Sequence, residues 1–177
     1  MGNNPGLRNI FIADNGTLRT LPDTFANLSG VEEIHLRGLN ALTSIPDVFP
    51  GLDALAELKI IDADSLTALP ASIGQASNLR MLAIDGNGAL KSLPESLGQL
   101  KNLTELSVEG NGALNAFPAA LSGLTSLERA SIYNNAVKTL PTFLVQLPNL
   151  RVVVAFRTPE SDPTVVALRE RAVTVYI

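Results

Sequence analysis

The side chains that could act as nucleophiles, metal ligands or phosphate-binding groups are few in this chain. The sequence has no cysteine and a single histidine, His35, which excludes thiol catalysis and metal sites built from cysteines or paired histidines. No Gly-x-Ser-x-Gly pattern places a serine on a nucleophile turn. The Gly-Asn-Gly segments at 86–88 and 110–112 are not followed by the Gly-Lys-Ser/Thr of a phosphate loop. We therefore expect no enzyme activity, no cofactor and no metal.

The two Gly-Asn-Gly segments belong to a repeat that runs through most of the chain. Its clearest markers are prolines spaced by 24 residues, with a last interval of 23. They are Pro22, Pro46, Pro70, Pro94, Pro118 and Pro141. A unit of this length is too small to bury its own apolar face, so successive units must stack on one another.

Apolar residues recur within each unit at positions that predict a short buried strand. In the fourth unit they are Leu79, Leu82 and Ile84, and the last two point to the same side of a strand. The position that follows is asparagine at 15, 87, 111 and 135; in the other two units it is Leu39 and Ala63, each followed at once by a polar residue. A buried carboxamide both donates and accepts hydrogen bonds, so we expect this column to satisfy the backbone where each coil turns. Each proline then suits the first turn of a short helical return.

The pattern L-x-x-L-x-L-x-x-N-G-A-L-x-x-L-P-x-x-L-x-x-L, nearly literal at 79–100, resembles the leucine-rich repeat family. The resemblance implies an α/β repeat fold. This fold is a right-handed solenoid with a parallel concave sheet and short helical or extended convex segments. Its units fill residues 7–149 as six repeats of 23–24 residues, after an N-terminal head at 1–6. Residues 150–177 predict a final strand and a C-terminal cap with strand, helix and strand, in which Asp162 caps the helix and Pro163 begins it.

The Leu-Pro-x-x-Leu motif, in a chain without cysteine-containing caps, is most similar to intracellular arrays and to the repeat domains of plant-pathogen type III effectors. That similarity implies an intracellular location, including delivery from a bacterium into a host cell. In several such effectors the repeats recognise a host protein while a separate domain carries ubiquitin-ligase activity. The residues of that domain have no counterpart in this sequence.

Charge and hydropathy exclude other partners. The formal net charge of −4 argues against nucleic acid, whose phosphates require a basic surface. No run of 18 apolar residues predicts a membrane span, and the first residues lack the basic and apolar regions of a signal peptide. The six residues before Leu7 are too few to shield Ile10, Ile12 and Phe25. We therefore expect further chain upstream, or self-association through this uncapped end.

The outward side of the strands is the predicted binding surface. Strand alternation places three residues of each unit there, and neighbouring equivalents lie about 4.8 Å apart. We expect contacts with a protein partner from Glu33, His35, Arg37, Glu57, Lys59, Met81, Asp85, Glu105, Glu109, Arg129, Tyr133 and Phe156. His35 is either a partner contact, pH-sensitive or not, or simply an exposed strand residue.

Two features of this surface favour a particular partner chemistry. Glu33 lies beside Glu57, and Asp85 beside Glu109, which suggests either a site for a cationic partner or a face kept soluble by its charge. Tyr133, Phe156 and the valines at 152 and 154 form an apolar patch, which the C-terminal tail either covers or leaves open.

The sequence thus favours a non-catalytic module that recognises a protein on its concave face, within a larger intracellular or translocated protein. One alternative is the substrate-docking domain of a ubiquitin ligase whose catalytic domain lies elsewhere. A second alternative is a self-associating structural solenoid.

Overall fold

Eight strands form one parallel sheet in the order of the sequence in the computed structural model, which describes residues 6–177. The first six are β1 (Asn9–Ala13), β2 (Glu33–Arg37), β3 (Glu57–Ile61), β4 (Met81–Asp85), β5 (Glu105–Glu109) and β6 (Arg129–Tyr133). The last two are β7 (Val152–Val154) and β8 (Thr174–Tyr176). Each of the first six strands pairs with the equivalent residues of the next unit, as Met81 does with Glu105. The repeat solenoid predicted from the proline period is confirmed.

The core lies on one side of this sheet, because the second and fourth residues of each strand point inward. Leu82 and Ile84 of β4 are completely buried, and so are Leu79 before the strand and Leu90 after it. The core is continuous from Ile10 to Val173. Removing one such side chain, for example by Leu82→Ala, costs about 2–5 kcal/mol of unfolding free energy. Shared burial between coils is therefore the main stabilising term.

The return segments are 3₁₀ helices and not α-helices. They cover Asp23–Asn27, Phe49–Gly51, Ala71–Gln75, Glu95–Gln99, Ala119–Gly123 and Thr142–Gln146. The short helical returns are present as predicted, but the prolines precede these helices and do not occupy their first turn, so that part of the prediction is wrong. Pro94, for example, precedes its helix in an extended conformation with φ −71° and ψ 142°, and its carbonyl accepts the N–H of Leu97 at 3.1 Å. Proline fixes only φ, and that value suits extended backbone as well as a helix.

Close stacking of the return segments requires glycine at some contacts. A Cβ atom on Gly98 would lie 2.0 Å from the carbonyl oxygen of Ala120 in the next coil. Any larger residue at this position would push two coils apart, since backbone atoms cannot move aside as a flexible side chain can.

The asparagine column joins consecutive coils as predicted, in three units. Asn111 is fully buried; its Oδ1 accepts the backbone N–H of Asn87 at 3.0 Å, and its Nδ2 donates to the carbonyl of Ile84 at 2.8 Å. Asn87 makes the equivalent bonds to Ala63 and Ile60, and Asn135 makes them to Asn111 and Val108.

The prediction for Asn15 is wrong. Asn15 is exposed, and within residues 6–177 its Oδ1 accepts only the hydroxyl of Thr17 at 3.1 Å. The carboxamides of the later units reach the coil before their own, and no described coil precedes the one that carries Asn15.

The expectation that the apolar residues of the first coil are unshielded is corrected in part. Ile10 and Phe25 are buried, whereas Leu7 and Ile12 are only partly covered. The residues before 6 lie outside the described part.

A left-handed residue follows each of the first seven strands and turns the chain into the convex segment. These residues, all with positive φ, are Asp14, Gly38, Asp62, Gly86, Gly110, Asn134 and Arg157. Glycine, asparagine and aspartate adopt this conformation most readily, while other residues incur a cost of about 1–2 kcal/mol. Arg157, with φ 69°, is the exception to the series.

The C-terminal segment folds against the last coil. Helix α1 (Pro163–Glu170) begins after Asp162, whose side chain accepts the N–H groups of Thr164 at 2.8 Å and Val165 at 3.4 Å, as the sequence predicts. The other carboxylate oxygen of Asp162 accepts the N–H of Leu140 at 3.0 Å. Val165 and Leu168 are fully buried, and α1 packs against the 3₁₀ helix Thr142–Gln146. Strand β8 then extends the sheet beyond β7.

We predict that Asn111→Ala lowers the free energy of unfolding by about 2–4 kcal/mol, because it leaves the buried N–H of Asn87 without its acceptor and removes a hydrogen bond to the carbonyl of Ile84. Chemical denaturation with urea measures the loss. The exposed Asn15→Ala variant is the matched control and should differ from the wild type by less than about 0.5 kcal/mol. Equal stability of the two variants would refute the structural role of the column.

Candidate functional site

The first, third and fifth residues of each strand form the face of the sheet opposite the core, which we call the concave face. Strand register aligns these residues in rows across the units. Of the predicted site residues, Glu33, His35, Arg37, Glu57, Lys59, Met81, Asp85, Glu105, Glu109, Arg129 and Tyr133 occupy these positions. Phe156 lies two residues after β7 and reaches the same face through its contact with Tyr133. Since the core needs none of these side chains, their identities are free to serve another purpose.

A charge-balanced cluster occupies β2 and β3. One carboxylate oxygen of Glu57 lies 2.6 Å from Nε2 of His35 and 2.6 Å from Nζ of Lys59. The hydrogen bond from Lys59 lowers the pKa of Glu57 despite partial burial, and His35 adds to this effect. The ring of Phe11 packs edge-on against His35, with centroids 4.6 Å apart. The charge of Glu57 is therefore compensated locally, and Glu33 beside it does not face an unbalanced carboxylate.

The second acidic pair, on β4 and β5, is held by hydroxyl groups and not by cations. Ser107 Oγ lies 2.9 Å from Oδ1 of Asp85 and 3.1 Å from Oε1 of Glu109. The backbone N–H of Glu109 donates to Asp85 at 3.0 Å, and the hydroxyl of Ser131 donates to Glu109. These contacts fix the two carboxylates in position without neutralising them.

Burial, hydrogen bonding and neighbouring negative charge raise the pKa values of two groups in this network. Burial raises the pKa of Asp85 to about 6, and the charges of Glu109 and Asp62 add to that increase against the lowering effect of Ser107. The pKa of Tyr133 is also raised, chiefly by its hydrogen bond to the Glu109 carboxylate. Within residues 6–177 no three acidic or histidine side chains are grouped so as to hold a metal ion. The network is arranged to accept hydrogen bonds from donor groups.

The remaining predicted residues are more exposed. Arg129 contacts Glu105 through Nε at 3.5 Å, and both side chains are about half exposed, so this surface ion pair contributes little stability. Arg37 lies at the exposed end of β2, and Met81 is half-buried at the start of β4.

The apolar patch at the C-terminal end is only partly open. The ring of Tyr133 packs edge-on against Phe156, with centroids 5.1 Å apart, and Phe156 is 47% exposed. Val154 is buried, because Tyr176 of β8 lies beside it in the sheet. Tyr176 is itself 53% exposed. The tail thus covers one valine of the patch and adds an aromatic residue at its edge.

Comparison with known proteins identifies the fold family through structure. No family model matches the sequence, and no curated protein matches it either. The solved leucine-rich repeat domain of the type III effector XopL matches with a TM-score of 0.77 and 27% identity, over 87% of this chain and 53% of that chain. A leucine-rich repeat protein of Leptospira interrogans matches with a TM-score of 0.64 and 26% identity, over 93% of this chain and 48% of that one.

The chain is a leucine-rich repeat protein. It spans about half the length of these two solved chains. The similarity to these leucine-rich repeat folds supports a role as a protein-interaction module in general. Among residues 6–177 of this leucine-rich repeat protein, no helix has the length and apolar character needed to cross a membrane.

Sequence reasoning missed two exposed aromatic residues of this leucine-rich repeat protein. Phe11 is 61% exposed on β1 and is not among the predicted contact residues, although an aromatic residue on a solvent face is itself a signal of binding. Tyr176 falls within the predicted C-terminal cap, but its place beside Val154 depends on a pairing between β7 and β8 that has no repeat to predict it.

We predict that Asp85→Asn stabilises the protein at neutral pH. The folded-state pKa of Asp85 is raised to about 6 from an ordinary 3.8, so protonation of Asp85 stabilises the folded state. This stabilisation is complete below about pH 4 and is lost as the pH rises through 6. After allowance for solvent screening, the variant should gain about 1 kcal/mol at pH 7.5, which is about 2–4 °C in Tm.

Differential scanning calorimetry at pH 4 and pH 7.5 tests this expectation, with the exposed Asp53→Asn variant as the control for removal of one charge. The gain of Asp85→Asn should disappear at pH 4. A gain of the same size at both pH values would show that the titration of Asp85 is not its cause.

Proposed function

We propose that this leucine-rich repeat protein is a non-catalytic recognition module whose concave face binds a protein partner. The observation that carries the proposal is the concave face itself: in-register strands hold polar and aromatic side chains that the core does not use. Several of them are already fixed by mutual contacts, as in the Asp85, Ser107 and Glu109 network. A partner would bind a preformed surface, so little conformational entropy would be lost.

In the C-terminal half of the concave face, the side chains favour a partner that supplies hydrogen-bond donors. Glu57 forms an ion pair with Lys59 and a hydrogen bond with His35, whereas Asp85 and Glu109 have only hydroxyl and amide partners. The aromatic edge of Tyr133 and Phe156 lies beside these carboxylates. Lysine or arginine side chains of a partner fit this combination, because their heads pair with carboxylates and their stems pack on aromatic rings.

The similar solved structures support a proposal for the wider context of the module. XopL is a type III effector, and its repeat domain matches 87% of this chain. We infer that this protein belongs to a larger effector that acts inside a host cell. As an alternative, the array docks substrates for a ubiquitin ligase, which requires a catalytic domain elsewhere in the reading frame. The second alternative is a self-associating solenoid, and light scattering at several concentrations distinguishes it by a mass that rises with concentration.

A paired-surface experiment tests the proposal. Immobilised wild-type protein and two double variants are compared by affinity capture from host-cell lysate with quantitative mass spectrometry. Glu105→Lys with Tyr133→Ala alters the concave face. Glu95→Lys with Gln99→Ala makes the same change of charge, and also truncates one side chain to alanine, at exposed positions of a 3₁₀ helix on the opposite side.

We predict that the concave double variant captures at least tenfold less of any protein that the wild type enriches, since central anchor residues contribute more than about 1–2 kcal/mol each to the binding free energy. The opposite-side variant should capture normally, and both should unfold within about 3 °C of the wild type. Loss of capture by the opposite-side variant alone would contradict the assignment of the binding face.

A further inference from the structure

The asparagine column ends at Asn135 and leaves one backbone donor without a partner. In the earlier coils the N–H groups of Ala63, Asn87 and Asn111 each donate to a carboxamide oxygen of the next unit. The register of β6 and β7 places Thr158 at the equivalent position after Asn135. Thr158 uses its own N–H on the carbonyl of Ala155, and the N–H of Asn135 makes no hydrogen bond within residues 6–177.

This donor differs from others of the column because it belongs to a residue that lines an open cleft. The N–H of Leu39 also lacks a carboxamide acceptor, since Ala63 stands at that place, but both residues are completely buried. Asn135 is only partly buried and lines a cleft of about 190 Å³ between the sixth coil and the tail. We call this the tail cleft.

The tail cleft carries positive charge in a protein of net charge −4. Lys138 and Arg157 line it together with the hydroxyl-bearing Thr139 and Thr158, and no carboxylate is among the lining residues. Neither cation forms an ion pair with any residue of 6–177. The nearby Asp162 is occupied by the N–H groups of Leu140 and the start of α1, and Glu109 by Ser107 and Ser131.

The backbone of Arg157 gives an independent reason to assign the cleft a function. Arg157 occupies the left-handed position that the other units fill with aspartate, glycine or asparagine. Local stability favours those residues and not arginine. Strained residues held by their surroundings are concentrated at ligand sites. The guanidinium at the cleft is therefore placed there at a cost in backbone energy.

We propose that the tail cleft binds a carboxylate group. One carboxylate oxygen would accept the N–H of Asn135, as the carboxamide oxygens do in the earlier coils, while Lys138 and Arg157 would supply charge-assisted hydrogen bonds. A planar carboxylate presents the same acceptor geometry as an asparagine Oδ1, with a full negative charge added. Carboxylate binding in the tail cleft does not require the partner that we propose for the concave face.

Titration of the ¹⁵N-labelled chain tests the proposal, with sodium acetate as the probe and sodium chloride at equal ionic strength as the reference. We expect a saturable shift of the Asn135 amide resonance with a Kd on the order of millimolar. Two peptides distinguish the sources of the group: one has an internal aspartate and an amidated end, and the other has only a free C-terminal carboxylate. Binding of acetate alone would assign the cleft to small free carboxylates.

Glycine variants at two left-handed positions separate binding from stability. Arg157→Gly and the control Ala172→Gly, at φ 60° after α1, both relieve the same backbone strain and should both keep or raise Tm. Only Arg157→Gly should weaken acetate binding, by fivefold or more. Lys138→Gln should weaken it too, whereas the exposed Lys91→Gln should not.

Two results would overturn the proposal. One is an Asn135 shift with acetate no larger than with chloride. The other is a folded Arg157→Gly variant that binds acetate as tightly as the wild type.

Discussion

The contact between one coil and the next is the constraint on which this structure depends. A single unit of 24 residues can neither bury its leucines nor satisfy its own turn, because the hydrogen-bond acceptor for Asn87 N–H is supplied by Asn111 of the following unit. Burial follows the same rule, since the leucines of one coil are covered by those of the next. Stability is therefore a property of interfaces between units, as expected for a solenoid.

This arrangement separates the residues that fold the chain from those that can recognise a partner. The core and the asparagine column occupy the inward strand positions and the turns, so that a change on the concave face leaves the stacking intact. The face accordingly holds two different clusters on one regular scaffold. His35, Glu57 and Lys59 form a balanced group, and Asp85 with Glu109 forms an unbalanced one. The ends of the array depart from the rule, because a terminal coil has a neighbour on one side only.

The sequence predicts the parts of the molecule that repeat. Proline spacing and the leucine columns fixed the strand register, and Asp162 before Pro163 marked the start of α1. The failures lie where the repeat stops. Asn15 looks like Asn111 in sequence, but within residues 6–177 no preceding coil is available for its carboxamide to bond. The pairing of β8 with β7 follows no period. On the concave face the rows were predictable, but the partners of Glu57 were not, since they depend on side-chain conformation.

Amide hydrogen exchange of the native protein tests the role of the asparagine column most directly. The N–H groups of Asn87 and Asn111 are each bonded to a carboxamide in the next coil, so the account predicts that they exchange only through global unfolding, about 10⁴-fold or more slower than an unprotected amide. The N–H of Asn135, at the end of the column, should exchange orders of magnitude faster than either. Rapid exchange at Asn87 and Asn111, at the rate of Asn135, would contradict the account.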